Sequence, residues 1–134
     1  SRGLGDVYKR QDWGGPAMKP GLRTQQWDGR KKVLLTHPFS KTVPCVLSRK
    51  VEVPAGKKTI LELEVTNHPK GDWKLVVLVN GKKELSEDVT EMKWSKFRVD
   101  LSKHAGKTVN VELLNQATGW SHEAAYWSRI ELVH

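Results

Sequence analysis

Residues 72–81, Asp-Trp-Lys-Leu-Val-Val-Leu-Val-Asn-Gly, constrain this chain more than any other stretch. The apolar run is rich in β-branched residues and closes on Asn80-Gly81, a pair suited to a two-residue type I′ hairpin turn, whose central residues both need φ > 0. Trp73, Leu75, Val77 and Val79 fall on one face of such a strand, Val76 and Leu78 on the other. A strand with two apolar faces is covered on both, so this one is predicted to lie inside a sheet.

The same period of two recurs along the chain. Residues 33–36 make a short strand candidate, and residues 37–39 begin a loop. From Cys45 onward, Leu47, Val51 and Val53 share a face with Arg49, while Ser48, Lys50 and Glu52 share the other. Residues 54–57 form a turn, and residues 59–66 alternate Leu61, Leu63 and Val65 inward with Glu62 and Glu64 outward, a strand with one wet face. After the hairpin comes a weaker strand near Glu84 and Leu85. Residues 86–93 are polar apart from Val89 and Met92, and read as a loop crossing one end of the domain. Phe97, Val99 and Leu101 alternate with polar neighbours, residues 102–106 turn tightly, and Val109, Val111 and Leu113 alternate with Asn110 and Glu112. In the closing stretch, 124–133, Tyr126, Ile130 and Leu132 oppose Trp127, Arg129 and Glu131. Seven or eight short strands with turns between them and no helical period predict an all-β fold, an antiparallel β-sandwich or barrel.

Residues 1–11, SRGLGDVYKRQ, resemble the read-through translation of a transposase adapter from sequencing libraries. That resemblance implies a scar outside the fold and an open reading frame whose upstream part is missing. Residues 12–30, rich in Gly, Pro and Gln, read as a linker or extended arm, and residues 31–134 as the β-sandwich domain, within the roughly 100–200 residues of one domain. Three basic residues and one acidic residue leave with the scar, so the formal charge of +8 falls by two to +6. The lysines stand singly or in pairs at turns and strand ends (Lys31-Lys32, Lys57-Lys58, Lys82-Lys83). Such placement protects edges and confers solubility, and it argues against nucleic acid as a partner. Cys45 is the single cysteine, which excludes a disulfide framework and a cysteine-based zinc site and predicts a packed, inert thiol. No apolar run approaches the roughly 18 residues of a transmembrane helix, so no membrane partner is expected.

Residues 99–115, VDLSKHAGKTVNVELLN, resemble the penultimate hairpin of galactose-binding-like jelly rolls. The longer phrases THPFSKTVPCVLSRKVEVPAGKKTILELEV, HPKGDWKLVV and NQATGWSHEAAYWSRIELV are together similar to a C-terminal module of large secreted proteins from planctomycete-type bacteria. Parents of that module include haem-binding dehydrogenase-like proteins and sugar-active hydrolases. The resemblance spans residues 22–133 and implies a jelly-roll accessory domain, secreted or periplasmic, fused to an upstream partner. It carries no ligand and no residue roles.

For chemistry, His122-Glu123 with His68 and Asp72 is the best constellation, because imidazole and carboxylate together suit proton transfer or metal binding. No HExxH spacing exists, and adjacent His and Glu on a strand point to opposite faces, so no catalytic set is assigned and no enzyme is expected. No cofactor is called for. A structural calcium, as many jelly rolls hold, is allowed by Asp72 and Glu123, but two carboxylates are too few oxygens to argue it.

Six tryptophans are a heavy load for this length, and an indole can both stack on a sugar ring and donate from its N–H. Trp73 and Trp94 begin strands in core register and are expected to pack. Trp120 lies in the Gly119-Trp120-Ser121-His122 loop, where it can serve as a platform or as a loop anchor. Strict alternation puts Trp127 on a polar face with Arg129 and Glu131, a surface on which a sandwich can hold a sugar. Arg49, polar in an apolar register, joins that face if the two strands are neighbours, and is otherwise a side chain snorkelling at a sheet end. The predicted site is therefore Trp120, His122, Glu123, Trp127, Arg129 and Arg49, with His68 and Asp72 beside it. The predicted function is a non-catalytic carbohydrate-binding or accessory module whose partner is a glycan or sugar-containing polymer. The alternative is a structural or protein-interaction domain that packs against a fused catalytic domain and takes no glycan.

Overall fold

The computed structural model describes residues 23–119 and 122–134, so the expectations for residues 1–22 and for Trp120 lie outside it. Nine strands are described: β1 (Arg23–Trp27), β2 (Arg30–Thr36), β3 (Cys45–Glu52), β4 (Ile60–Asn67), β5 (Trp73–Val79), β6 (Lys82–Val89), β7 (Ser95–Asp100), β8 (Thr108–Gln116) and β9 (Ala125–Val133). They form an antiparallel sandwich of a five-stranded sheet, ordered β1-β2-β9-β4-β7, and a four-stranded sheet, ordered β3-β8-β5-β6. One 3₁₀ turn, Ser102–His104, is the only helical element among the described residues.

The constraint read from residues 72–81 is met. β5 lies between β8 and β6, and Asn80 (φ 51°) and Gly81 (φ 81°) supply the two positive φ values of the type I′ turn into β6. Trp73, Leu75, Val77 and Val79 face the opposing sheet, and Val76 on the outer face is also buried. Opposite them, Leu61, Leu63 and Val65 of β4 and Ile130 and Leu132 of β9 complete one continuous core. A smaller cluster of Val33, Leu35 and Tyr126, flanked by Trp94 and Ala124, forms a second packed group. Trp94 thus packs in that second cluster, its indole N–H donating to the Asp28 carbonyl at 2.9 Å.

Three readings need correction. Residues 23–30 are not linker: β1 pairs with β2 through Asp28-Gly29, with φ of 46° and 81°, a second type I′ hairpin whose signal sat inside a Gly- and Gln-rich stretch. Residues 86–89 are strand, not loop, because β6 is an edge strand whose outward positions are polar, while Val89 pairs with Trp73 and enters the core. Trp127 is not on the polar face of β9. The β4–β9 register shifts between Glu64, opposite Arg129, and Val65, opposite Trp127, so Ser128 is an extra residue. A bulge of this kind reverses the alternation, and Trp127 joins Ile130 and Leu132 in the core.

Candidate functional site

Four loops gather at one end of the sandwich: 37–44, 68–72, 90–94 and 117–124. Three of them border a shallow, open cleft of about 540 Å³ whose walls include Lys70, Asp72, Thr90, Met92, Thr118 and Glu123. This end follows from the register: Asn67 and Thr36 both pair with Ala125, and Lys74 pairs with Gln116, so the chain leaves both sheets at one level.

Two buried side chains hold the loops in shape. Glu123, only 2% exposed, accepts the backbone N–H of Thr118 at 2.6 Å and of Gly119 at 3.2 Å, and its Oε1 also lies 3.2 Å from the Thr118 hydroxyl. It is therefore a clasp for its own loop, since charge-assisted bonds from two backbone amides satisfy a carboxylate that burial would otherwise penalise, while the single Thr118 O–H proton serves the shorter contact, to Asp72. The Thr118 hydroxyl also contacts Asp72 Oδ1, tying the 117–124 loop to the 68–72 loop. Asn67, at the end of β4, donates from Nδ2 to the carbonyls of His68 (3.1 Å) and Gly71 (2.7 Å), and its Oδ1 accepts the Met92 N–H at 2.8 Å.

His68 and His122 stack, with ring centroids 4.5 Å apart and planes 24° from parallel. His68 Nδ1 accepts the Lys70 N–H at 3.0 Å, which places the proton of the neutral ring on Nε2. Burial holds the His68 imidazole below its ordinary value, and the positive charges of His122 and Lys70 act in the same direction. Nitrogen lone pairs lie in the ring plane, so two stacked imidazoles direct theirs side by side and do not converge on one ion. Among the described residues no group of three His, Cys, Asp or Glu side chains is arranged to hold a metal. His68, His122 and Glu123 do not converge on one point, because Glu123 turns inward to its loop amides while His122 is exposed against His68.

The structure thus brings together His68, Asp72, His122 and Glu123 of the predicted site and separates three others from them. Trp127 is fully buried, its ring 5.2 Å from that of Trp73 and its indole N–H donating to Thr36 Oγ1 at 3.0 Å, so it presents no surface to a ligand. Arg129 lies on the outer face of β9 in a charged ladder, 3.5 Å from Glu62 and 3.6 Å from Glu131. Arg49 pairs with Val111, four residues and roughly 13 Å along β3 from the loop end. Its strand belongs to the sheet that lacks β9, so Arg49 and Trp127 do not share a face. Met92, Thr90, Thr118, Lys70 and Asn67 were not picked out from sequence. The one available signal was Met92, an isolated apolar residue in a polar stretch.

No protein-family model matches the sequence, and no curated protein matches it significantly. Solved structures do. A family 35 carbohydrate-binding module from an environmental isolate superposes with a TM-score of 0.66 at 14% identity, covering 96% of this chain and 92% of that one. The C-terminal domain of EclA, a sugar-binding protein, gives 0.63 at 11% identity over 88% and 86% of the two chains. A Podospora anserina GH26-CBM35 β-(1,4)-mannanase gives 0.60 at 12% identity, covering 95% of this chain but 27% of the mannanase. At these identities the likeness establishes the fold, a β-sandwich of the kind seen in carbohydrate-binding modules.

Proposed function

We propose that this chain is a non-catalytic carbohydrate-binding module of a larger extracytoplasmic protein, and that a glycan binds in the cleft at the loop end. The observation that carries the reading is the cleft itself. An ammonium (Lys70), a carboxylate (Asp72) and two hydroxyls (Thr90, Thr118) stand around it on loops tied down by buried Asn67 and Glu123. Hydrogen-bonding groups fixed on a rigid scaffold are what recognition of sugar hydroxyls requires. The fold likeness supports the reading, since the matching structures are carbohydrate-binding modules and a sugar-binding protein by name. A place within a longer, exported chain is supported by the resemblance of the sequence phrases to modules of large secreted proteins, and by the mannanase, in which the matching fold is one part of the chain. In this reading Trp120 supplies stacking surface, while His68, His122 and Glu123 set the loops that carry it.

Affinity electrophoresis through gels containing xylan, galactomannan or pectin, followed by a glycan array, tests the proposal. The wild type is expected to be retarded by at least one polymer. Trp120→Ala is expected to abolish that retardation with little change in melting temperature. A wild type that binds nothing across a broad array overturns the proposal in favour of a domain that packs against a fused partner.

A further inference from the structure

Among the described residues, four that are not glycine hold positive φ: Asp28, Asn80, Met92 and His122. For Asp28 and Asn80 the two-residue hairpin demands it. Met92, at φ 57°, sits in no such turn, and a long side chain adopts this left-handed conformation only at a cost. It is also 56% exposed, more than Phe39 or Val43, the other exposed large apolar residues among those described. A loop selected for stability alone would place glycine or asparagine at this φ and turn its methionine inward. Strain of this sort is held where the surroundings over-determine it, and binding loops are a common place for it.

Here the surroundings do over-determine it. Asn67 is 2% exposed, and its single amide fixes the 68–72 loop through two carbonyls while gripping the Met92 N–H. The result is an apolar side chain on the wall of a cleft that it shares with Pro69 and with the polar side chains of Lys70, Asp72, Thr90, Thr118 and Glu123. A pyranose ring has complementary chemistry: a patch of C–H groups on its face and hydroxyls around its rim. Among the described residues lining the cleft there is no aromatic ring, and Met92 is the one long apolar side chain.

Building on the carbohydrate-binding reading, we propose that Met92 is a ligand-contacting residue. Its thioether lies against the C–H face of a bound sugar whose hydroxyls meet Asp72 and Thr118, and Asn67 is the positioning residue that presents it. An unbranched, polarisable thioether moulds to an irregular C–H surface, so the contact suits a sugar with an open apolar face and tolerates small differences in substitution. The ligand class is then a pyranose whose C–H face is not blocked by axial substituents.

The chain has two methionines, Met18 and Met92. Methyl-¹³C methionine labelling in a Met18→Leu background leaves Met92 as the sole signal, to be followed by NMR on titration with xylohexaose, mannohexaose and cellohexaose. The Met92 methyl is expected to shift saturably with the oligosaccharide that binds. Met92→Gly, which relieves the backbone cost and so keeps the fold, is expected to weaken that binding at least tenfold with an unchanged or raised melting temperature. Asn67→Ala should weaken it more in the Met92 protein than in the Met92→Gly background, where only its hold on the 68–72 loop is left to lose, as a double-mutant cycle reads. Full-strength binding by Met92→Gly, together with a Met92 methyl that does not move when the Met18→Leu protein binds, overturns the inference and leaves the carbohydrate reading standing. An equal further loss from Asn67→Ala in both backgrounds removes Asn67 as a positioning residue. A wild type that binds no oligosaccharide or polymer overturns both readings.

Discussion

Replacing Trp127 by alanine separates packing from binding, because alternation in the sequence and the structure give this residue opposite roles. The indole is fully buried and tilted 48° against Trp73 at 5.2 Å. Truncating a buried aromatic costs about 3–5 kcal/mol in lost contacts and cavity. The lost hydrogen bond adds no more than about 1 kcal/mol, since Thr36 Oγ1 keeps the Asn115 Nδ2–H at 3.2 Å. A loss near 4 kcal/mol is a large part of the roughly 5–15 kcal/mol that holds a domain together. At roughly 4 °C per kcal/mol for a chain of this size, the melting temperature should fall by about 15 °C. Trp127→Phe keeps a ring against Trp73 and should cost about 1–2 kcal/mol. Thermal melts by circular dichroism, with affinity electrophoresis on the Phe protein, read both quantities. The Phe variant is expected to bind as the wild type does. An alanine variant that melts within a few degrees of wild type but no longer binds glycan would refute the buried placement and restore Trp127 as a platform.

The His68 imidazole is held low by burial first, then by His122 and Lys70, so the folded state takes up its proton less readily than the unfolded chain. Its contribution to stability is therefore full above the unfolded value of 6.5 and is lost as pH falls from there through the lower folded value. Melting temperature should decline between pH 7.5 and 5, and His68→Gln should flatten that slope; an equally steep slope in the variant would place the titration elsewhere. The Cys45 thiol is buried and pushed up to about 11 by that burial, against a smaller opposite pull from the His37 backbone. At pH 8 it should react with a disulfide reagent about a hundredfold more slowly in the folded protein than in guanidinium, because so little thiolate forms, and rapid labelling of the native protein would contradict the packed assignment.

Where one physical signal dominated, the fold was legible from sequence. β5 announced itself by being apolar on both faces and ending on Asn-Gly, and Leu61, Leu63 and Val65 by clean alternation against Glu62 and Glu64. What escaped were places where a local rule yields to pairing. β6 is held to β5 by backbone hydrogen bonds, so its polar residues left no apolar period to read, and only Leu85 and Val89 hinted at the core. The bulge at Ser128 is invisible in the β9 sequence alone, because it exists only in the register against β4. That one inserted residue moved Trp127 from a supposed sugar platform into the core and left Arg129 in a surface ladder, where exposed pairs contribute about 0–1 kcal/mol.

The candidate site was legible by chemistry but not by role, for a related reason. His68, Asp72, His122 and Glu123 were chosen as polar groups on loops, and the topology does bring them to one end. Yet the most buried of them, Glu123, spends its Oε1 on the amides of Thr118 and Gly119. Asn67, which nothing in the sequence marks, ties two loops from beneath. A polar side chain at a loop base must satisfy its neighbours' backbone before it can serve a ligand, because an unpaired buried N–H costs about 1–3 kcal/mol. In the proposed binding mode, contact with a ligand falls to groups further out, Asp72, Thr118 and Met92, of which Thr118 carries no pattern in the sequence.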